Sequence, residues 1–353
     1  MSLTRHYRRL LLAYPRAYRR ERGEELLGLL LDTTPPGRTR PTVTGAVDLV
    51  RAGLRCRLGR PASRTVGVWA VLTALICGLF TAALASRLAW KTSRPQPDRA
   101  EAAAIFAEAF PGHRLDDDVA TSPALFVYYN NPVTVDSLRG LLLGDGGEYQ
   151  EGSAGGAAAG REPTSDTLTT AEQRLRAAGW RVYAPTTTDL QTCAAPPCDP
   201  QETETVLVAR RGDTVFRATF NDPTLYNSYL YFTVQRAAPP LVLPVAALAG
   251  LVGGVLAWLV FAWASRRTEG RRGTGLLLGF ALFLWWAPAL ATTTSLVPHH
   301  LGEPHPTWHP LWEWLGQPTF SLLFLIGAGC ALVLLAIALA PRKDPRPLTV
   351  SVG

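Results

Sequence analysis

The chain has 353 residues, 47% of them apolar, with a formal net charge of +7 and a pI near 9.4. Length allows about two domains, and the apolar fraction is ordinary for a globular protein. The average hides a block pattern. Charge is absent from residues 65–86, 237–265, 273–302 and 314–341, which excludes ordinary soluble core helices, since those keep a polar face. Each run is long enough to cross a ~30 Å hydrocarbon core as a helix. The fold class this predicts is an integral membrane α-helical protein with four transmembrane helices, a cytoplasmic three-helix prefix and an extracytoplasmic α+β domain.

Residues 1–64 read as the cytoplasmic helical prefix. Tyr7, Leu10, Leu11 and Tyr14 form an apolar stripe. Pro15 breaks it and can open a second helix at its first turn, and Tyr18, Leu26, Leu27 and Leu30 continue the stripe. The stretch 33–41, TTPPGRTRP, is a stop and linker. A third helix over about 44–58 places Val47, Val50, Leu54 and Leu58 on one apolar face. Three helices this short have little core of their own, so docking on a partner or on the anionic inner leaflet is expected to support them.

The segment HYRRLLLAYPRAYRRERGEELLGLLLD, followed by TRPTVTGAVDLVRAGLRCRLGR, resembles the prefix of a group of actinobacterial four-span membrane proteins. These belong with short helical modules placed ahead of the spans in permease-like and signalling proteins. The resemblance is confined to the prefix, and YPRAYRRERGEELL is its most distinctive part. It implies proximity to PadR-type transcription regulators, often encoded beside such proteins, and brings no catalytic residue with it.

Residues 65–90 read as an uncleaved first span that also serves as the targeting signal, because a cleaved signal peptide would begin near residue 1 and be shorter. Topology follows from the basic residues, which stay on the cytoplasmic side. Residues 1–64 hold 14 Arg against five acidic residues, and residues 91–240 hold 13 basic against 19 acidic. The nets of 266–272, 298–319 and 342–353 are +3, −2 and +2. The signs alternate, as they should for a multi-pass protein of the cell membrane with both termini cytoplasmic. The basic pI reports this rule and does not by itself point to nucleic acid.

The outer α+β domain is expected over 91–236. Asp98 can cap a helix through Phe110. Residues 125–129 read as a strand, 130–132 as a turn, 133–143 as a short helix, and the Gly/Ala-rich 144–161 as a mobile loop. A helix over 168–178 and a strand over 180–184 follow. Strands at 203–209 and 214–220 flank a turn at 210–213, and a longer strand covers 225–235. The remaining spans are 237–265, 274–297 and 320–341. They are separated by a cytoplasmic loop, 266–273, and an outer loop, 298–319, and followed by a tail, 342–353. Gly250 and Gly254 are spaced one turn apart and suit close helix packing.

Chemical signals are few. Cys193 and Cys198 fall in the segment placed outside, where disulfides persist. The pair has four intervening residues where a thioredoxin-type site has two. A redox switch or metal pair is one reading, and a local disulfide pinning a loop is preferred. His299, His300, His305 and His309 share one outer loop and are weak candidates for Zn²⁺ or Cu²⁺, since no Cys or Asp accompanies them. In the same loop Trp308, Trp312 and Trp314 suit a membrane interface, as do Arg87 and Trp90 at the end of the first span. The triplet 116–118 is three aspartates without the alternation of a Ca²⁺ loop. Arg211-Gly212-Asp213 resembles an adhesion tripeptide but suits a hairpin turn. No phosphate loop, GxSxG or HExxH is present, so no enzyme and no cofactor are expected, and an outer hydrolase or redox activity would rest on the His and Cys clusters alone. Direct nucleic-acid binding is not expected, because leaflet attraction accounts for the arginines. The function this suggests is a membrane-embedded signalling or regulatory protein. Its outer domain would recognise a ligand or partner, and its basic prefix would dock a protein such as a transcription regulator or transporter subunit. The alternative is a structural or accessory subunit of an exporter or envelope complex.

Overall fold

A computed structural model describes residues 3–35, 37–60, 63–115, 119–122, 127–128, 131–132, 152–159, 165–190, 202–221, 229–302 and 322–341. In chain order the helices are α1 (Leu3–Leu10), α2 (Arg16–Asp32), α3 (Val43–Arg57), α4 (Val66–Trp90), α5 (Arg99–Ala109), α6 (Ser165–Ala177), α7 (Val242–Arg267), α8 (Thr274–Gly302) and α9 (Leu322–Leu339). The strands are β1 (Arg114–Leu115), β2 (Ala120–Ser122), β3 (Val127–Tyr128), β4 (Asn131–Pro132), β5 (Ser153–Ala159), β6 (Arg181–Val182), β7 (Thr186–Leu190), β8 (Glu202–Arg211), β9 (Thr214–Asn221) and β10 (Leu230–Arg236). Among the described residues α4, α7 and α9 are long and apolar enough to cross a membrane, and Thr274–Leu290 is a shorter apolar stretch. Helix α8 continues through Gly302, past the predicted boundary at residue 297. The chain divides into two compact units. One comprises Met1–Gly78, Leu251–Leu284 and Ile326–Gly353, the other Leu79–Gly250 and Trp285–Leu325.

In the first, helical unit, Pro15 stands at the N-cap of α2. Before it, α1 tightens into a 3₁₀ turn over Leu11–Ala13. Tyr7, Leu11, Tyr14 and Leu27 are buried together with Leu49 of α3. Gly53 lets α3 close on that turn, because a Cβ there would lie 2.7 Å from the Tyr14 ring. The predicted apolar face of α3 is present, with Val47, Val50, Leu54 and Leu58 lining one groove, but it is not the face that packs on the bundle. Leu49 and Gly53 face the bundle, while Val47 is 59% exposed and Val50 and Leu54 are half-buried. Periodicity ranks positions by apolar size and gives no weight to a glycine, whereas packing favours the face that permits the closest approach. Leu58, the last residue of the predicted face, is fully buried with Val66, Ala70, Phe261 and Ala262.

In the second unit the strands run β1-β5-β10-β9-β8-β6, all antiparallel, with β2 also on β5 and β7 also on β8. Helices α5 and α6 bury Ile105, Phe106, Phe110 and Leu175 in one cluster with Phe216 and Phe232 of the sheet. The rings of Phe106 and Phe232 are 4.7 Å apart. Side chains of β10 alternate between buried and more open positions, as a strand with one covered face requires. Asp98 caps α5 by accepting from Glu101 N at 2.8 Å.

Three local expectations are corrected here. Part of the predicted mobile loop, Ser153–Ala159, is strand β5, paired with β10 along five residues. Its Gly155 lies so close to β10 that a Cβ would meet the Phe232 carbonyl oxygen at 2.5 Å. Small residues read as a loop because they bury little apolar area. Here the neighbouring aromatics supply that area, and Ala154 is fully buried among them. The predicted turn at 130–132 is partly strand, with Asn131 and Pro132 pairing with Tyr128 and Val127. Strand β7 was not expected. The predicted short helix at 133–143 lies outside the described residues.

Candidate functional site

The helical unit carries an open groove of about 900 Å³ between α3 and the first turns of α4. Val47, Val50 and Leu54 form one wall, and Gly67, Val68 and Val71 the other. Val47, Val68 and Val71 are exposed apolar residues, and Trp258 of α7, also in the lining, has an indole N–H with no acceptor among the described residues. Arg51, Arg55 and Arg64 add positive charge to the lining. Arg55 is committed to the loop after α3, donating to the carbonyl oxygens of Gly59, Arg60 and Ser63 at 2.9, 3.1 and 2.7 Å. Arg51 and Arg64 are exposed, and among the described residues neither is in an ion pair. An apolar trough of this size edged by guanidinium groups can receive the apolar ridge of a helix whose flanks are acidic.

Other arginines do structural work that sequence reading attributed to topology alone. Arg57 donates from Nε to the Ala13 carbonyl at 2.5 Å and from its terminal nitrogen to those of Leu12 and Tyr14. Arg60, held at φ 49°, donates to Thr268 and Thr274 hydroxyls at 2.9 and 3.1 Å. Its own N–H meets Glu269. Arg267 and Arg271 donate to carbonyls at the end of α9 and just past it, Arg267 to Ala338 at 3.1 Å and Arg271 to Ile337 and Ala340. Guanidinium groups at helix C-terminal ends satisfy carbonyls that lack an intrahelical partner. The signal was available in the sequence, since Arg55 and Arg57 fall in the last turn of a predicted helix.

The second unit has a clamp where the chain enters and leaves the sheet. Arg236 is 4% exposed and bidentate to Glu101 at 2.8 and 2.6 Å. It also donates to the Pro95 carbonyl at 3.0 Å and the Thr214 hydroxyl at 2.7 Å. Arg94 makes a second bidentate pair with Asp213, at 2.7 and 2.5 Å. That hydrogen bond is the main cause holding the Asp213 carboxyl below its ordinary value. The clamp also disposes of the adhesion-like tripeptide. Gly212 has φ +63° in a two-residue hairpin turn, Asp213 is held by Arg94, and Arg211 bonds Glu108 and lies over the Trp180 ring at 4.4 Å. Both charged ends are thus engaged in ion pairs within the chain.

Of the residues singled out by sequence, Arg87 lies in the last turn of α4. Trp90 is only 5% exposed and packs with Ala89 and Val242, so its ring is held by protein and is not spread at a surface. Gly254 faces inward, where a Cβ would stand 3.1 Å from the Ala74 carbonyl oxygen of α4. Gly250 is half-buried in α7. Cys193, Cys198, the aspartates at 116–118, His305, His309, Trp308, Trp312 and Trp314 lie outside the described residues. So do the side chains of His299 and His300, which belong to α8. Among the described residues no cluster of three His, Cys, Asp or Glu side chains is placed to hold a metal. Comparison with protein-family models, with curated proteins and with solved structures finds no match.

Proposed function

We propose that the chain is a membrane-embedded regulatory protein whose basic prefix docks an amphipathic helix of a cytoplasmic protein in the α3–α4 groove. In this reading four spans place both termini in the cytoplasm, and the sheet unit recognises a ligand or partner outside. The observation that carries it is the uncovered side of α3. One face of that helix holds the bundle through Leu49 and Gly53, and the other leaves Val47, Val50 and Leu54 lining an open groove. The alternating charge of the polar segments supports the sidedness. The likeness of the prefix to modules found near PadR-type regulators supports a regulator or a transporter subunit as the class of partner. An accessory-subunit role through α7 would need a contact other than Gly254, which is occupied by α4.

A photo-crosslinker at Val50, in native membranes, tests the groove. The expected capture is a protein joined through a helical segment with apolar residues at i, i+3 and i+4 and acidic flanks. A synthetic peptide of that segment should bind the parent chain and not L54D. Capture of lipid alone, or of a peptide that binds L54D equally well, overturns the reading.

A further inference from the structure

A second cavity on the helical unit, of about 550 Å³, is lined by Pro15, Arg16, Ala17, Arg19, Arg57 and Arg266. Four of these six residues are arginines, drawn from α2, α3 and α7, and among the described residues no carboxylate lines the space. Arg19 lines it, and among the described residues the Arg19 Nε has no hydrogen-bond partner. Burial first, and then the positive charges of Arg19, Arg266 and Arg16, hold the Arg57 guanidinium below its ordinary value. The Arg57 fork is already spent on carbonyl groups, so it supplies field and leaves the cavity's hydrogen bonding to others.

The cavity also receives the start of α2. Pro15 offers no side-chain cap, and the first turn contains no acidic residue. The first intrahelical bond runs from Arg19 N to Pro15 O at 3.1 Å, so the N–H groups of Arg16, Ala17 and Tyr18 precede it and have no intrahelical acceptor. Arginines at the positive end of a helix reverse the usual preference. Like charges gathered in a half-enclosed space destabilise the fold that holds them. A bound anion would offset both costs at once, and guanidinium forks beside helix N–H groups match phosphate oxygens in geometry and charge.

We propose that this cavity binds a phosphate group, either as a free phosphate anion or as the headgroup phosphate of an anionic phospholipid. Arg16 and Arg19 are the donors, assisted by the first N–H groups of α2, and Arg57 and Arg266 deepen the positive field. The proposal stands apart from the groove, because neither Arg16 nor Arg19 lines it, and the crosslinking result leaves it untouched.

The test uses the full chain in nanodiscs. For the free anion, the disc lipid is phosphatidylcholine, and melting is followed as inorganic phosphate replaces chloride at constant ionic strength. For the lipid, discs contain phosphatidic acid with phosphatidylcholine, and the phospholipid retained on extraction into detergent is measured by mass spectrometry. A saturable rise in melting temperature with phosphate identifies the free anion as ligand. Selective retention of phosphatidic acid without a phosphate response identifies the headgroup. In either case R19Q is expected to weaken binding about tenfold or more, the loss of a charge-assisted hydrogen bond, and R19K to weaken it less. Without any anion R19Q should melt no lower than the parent, because it relieves repulsion. If R19Q does melt lower, R16Q, at an exposed position, must show the same loss of binding. Absence of both responses, or responses unchanged in R19Q and R16Q, overturns the proposal.

Discussion

At the residue scale, two arginine–carboxylate pairs with the same bidentate form carry different weight. Arg236 and Glu101 meet where the guanidinium is nearly sealed from water, so removing the carboxylate strands a buried charge. E101A is expected to lower the stability of the sheet unit by about 3 kcal/mol, measured by denaturant unfolding in detergent. The Arg94–Asp213 pair is solvated on both sides and is screened by salt. R94Q should cost much less than E101A, and raising the salt concentration should erase the difference between R94Q and the parent. The Asp213 carboxyl is held below its unfolded value, chiefly by the Arg94 hydrogen bond. Its contribution is therefore fully present above the ordinary aspartate range and is lost as the pH falls through the lower folded value. D213N should remove that portion of the acid sensitivity, seen as a flatter stability profile below about pH 4.

At the element scale, α3 and β5 show how packing overrules pattern. In α3 the face that holds the bundle is organised by Leu49 and Gly53. L49A should destabilise the helical unit by about 2–3 kcal/mol, the cost of a large-to-small core change. V47D, on the open side, should leave melting within about 0.5 kcal/mol of the parent while abolishing the groove crosslink. A result with the two effects exchanged would mean that α3 is turned the other way. In β5 the strand can lie beside β10 only because Gly155 has no side chain. G155V should cost about 1–3 kcal/mol through overpacking against Phe232 and Thr233, read as a lower midpoint by near-UV circular dichroism, where the aromatic cluster reports. The stretch looked like a loop for the same reason that it works as a strand: its side chains are small, and the large ones that fill the layer belong to α5, β9 and β10.

At the scale of the whole molecule, the arrangement of charge predicts which face of a membrane each polar segment meets. Cys56, in α3, is exposed and unpaired, whereas Cys77 and Cys330 are less exposed within apolar helices. An impermeant maleimide should therefore leave Cys56 unlabelled in intact cells and label it after the membrane is opened. Labelling from outside would invert the proposed topology. Several arginines of residues 1–64 differ in what holds them. Arg55, Arg57 and Arg60 are spent on backbone carbonyls or hydroxyls, whereas Arg16, Arg19, Arg51 and Arg64 line cavities with no such bond among the described residues. The latter are better placed to meet a ligand, and no count of charges separates the two.

What the sequence determined by itself is what depends on local chemistry. It includes the apolar runs of α4, α7 and α9, the break at Pro15, the Asp98 cap, the hairpin turn at Gly212 and the sign of each polar segment. These follow from side-chain transfer energies, backbone preferences and charge, which act over a few residues. The tertiary structure alone decided the rest. It turned the Gly53 side of α3 inward, drew Ser153–Ala159 into the sheet, buried Trp90, set Gly254 against Ala74, tied Asp213 to Arg94 and gathered Arg16, Arg19, Arg57 and Arg266 around one cavity. Each of those outcomes depends on how closely two distant backbones approach, and that distance is set by shape complementarity between segments far apart in the chain.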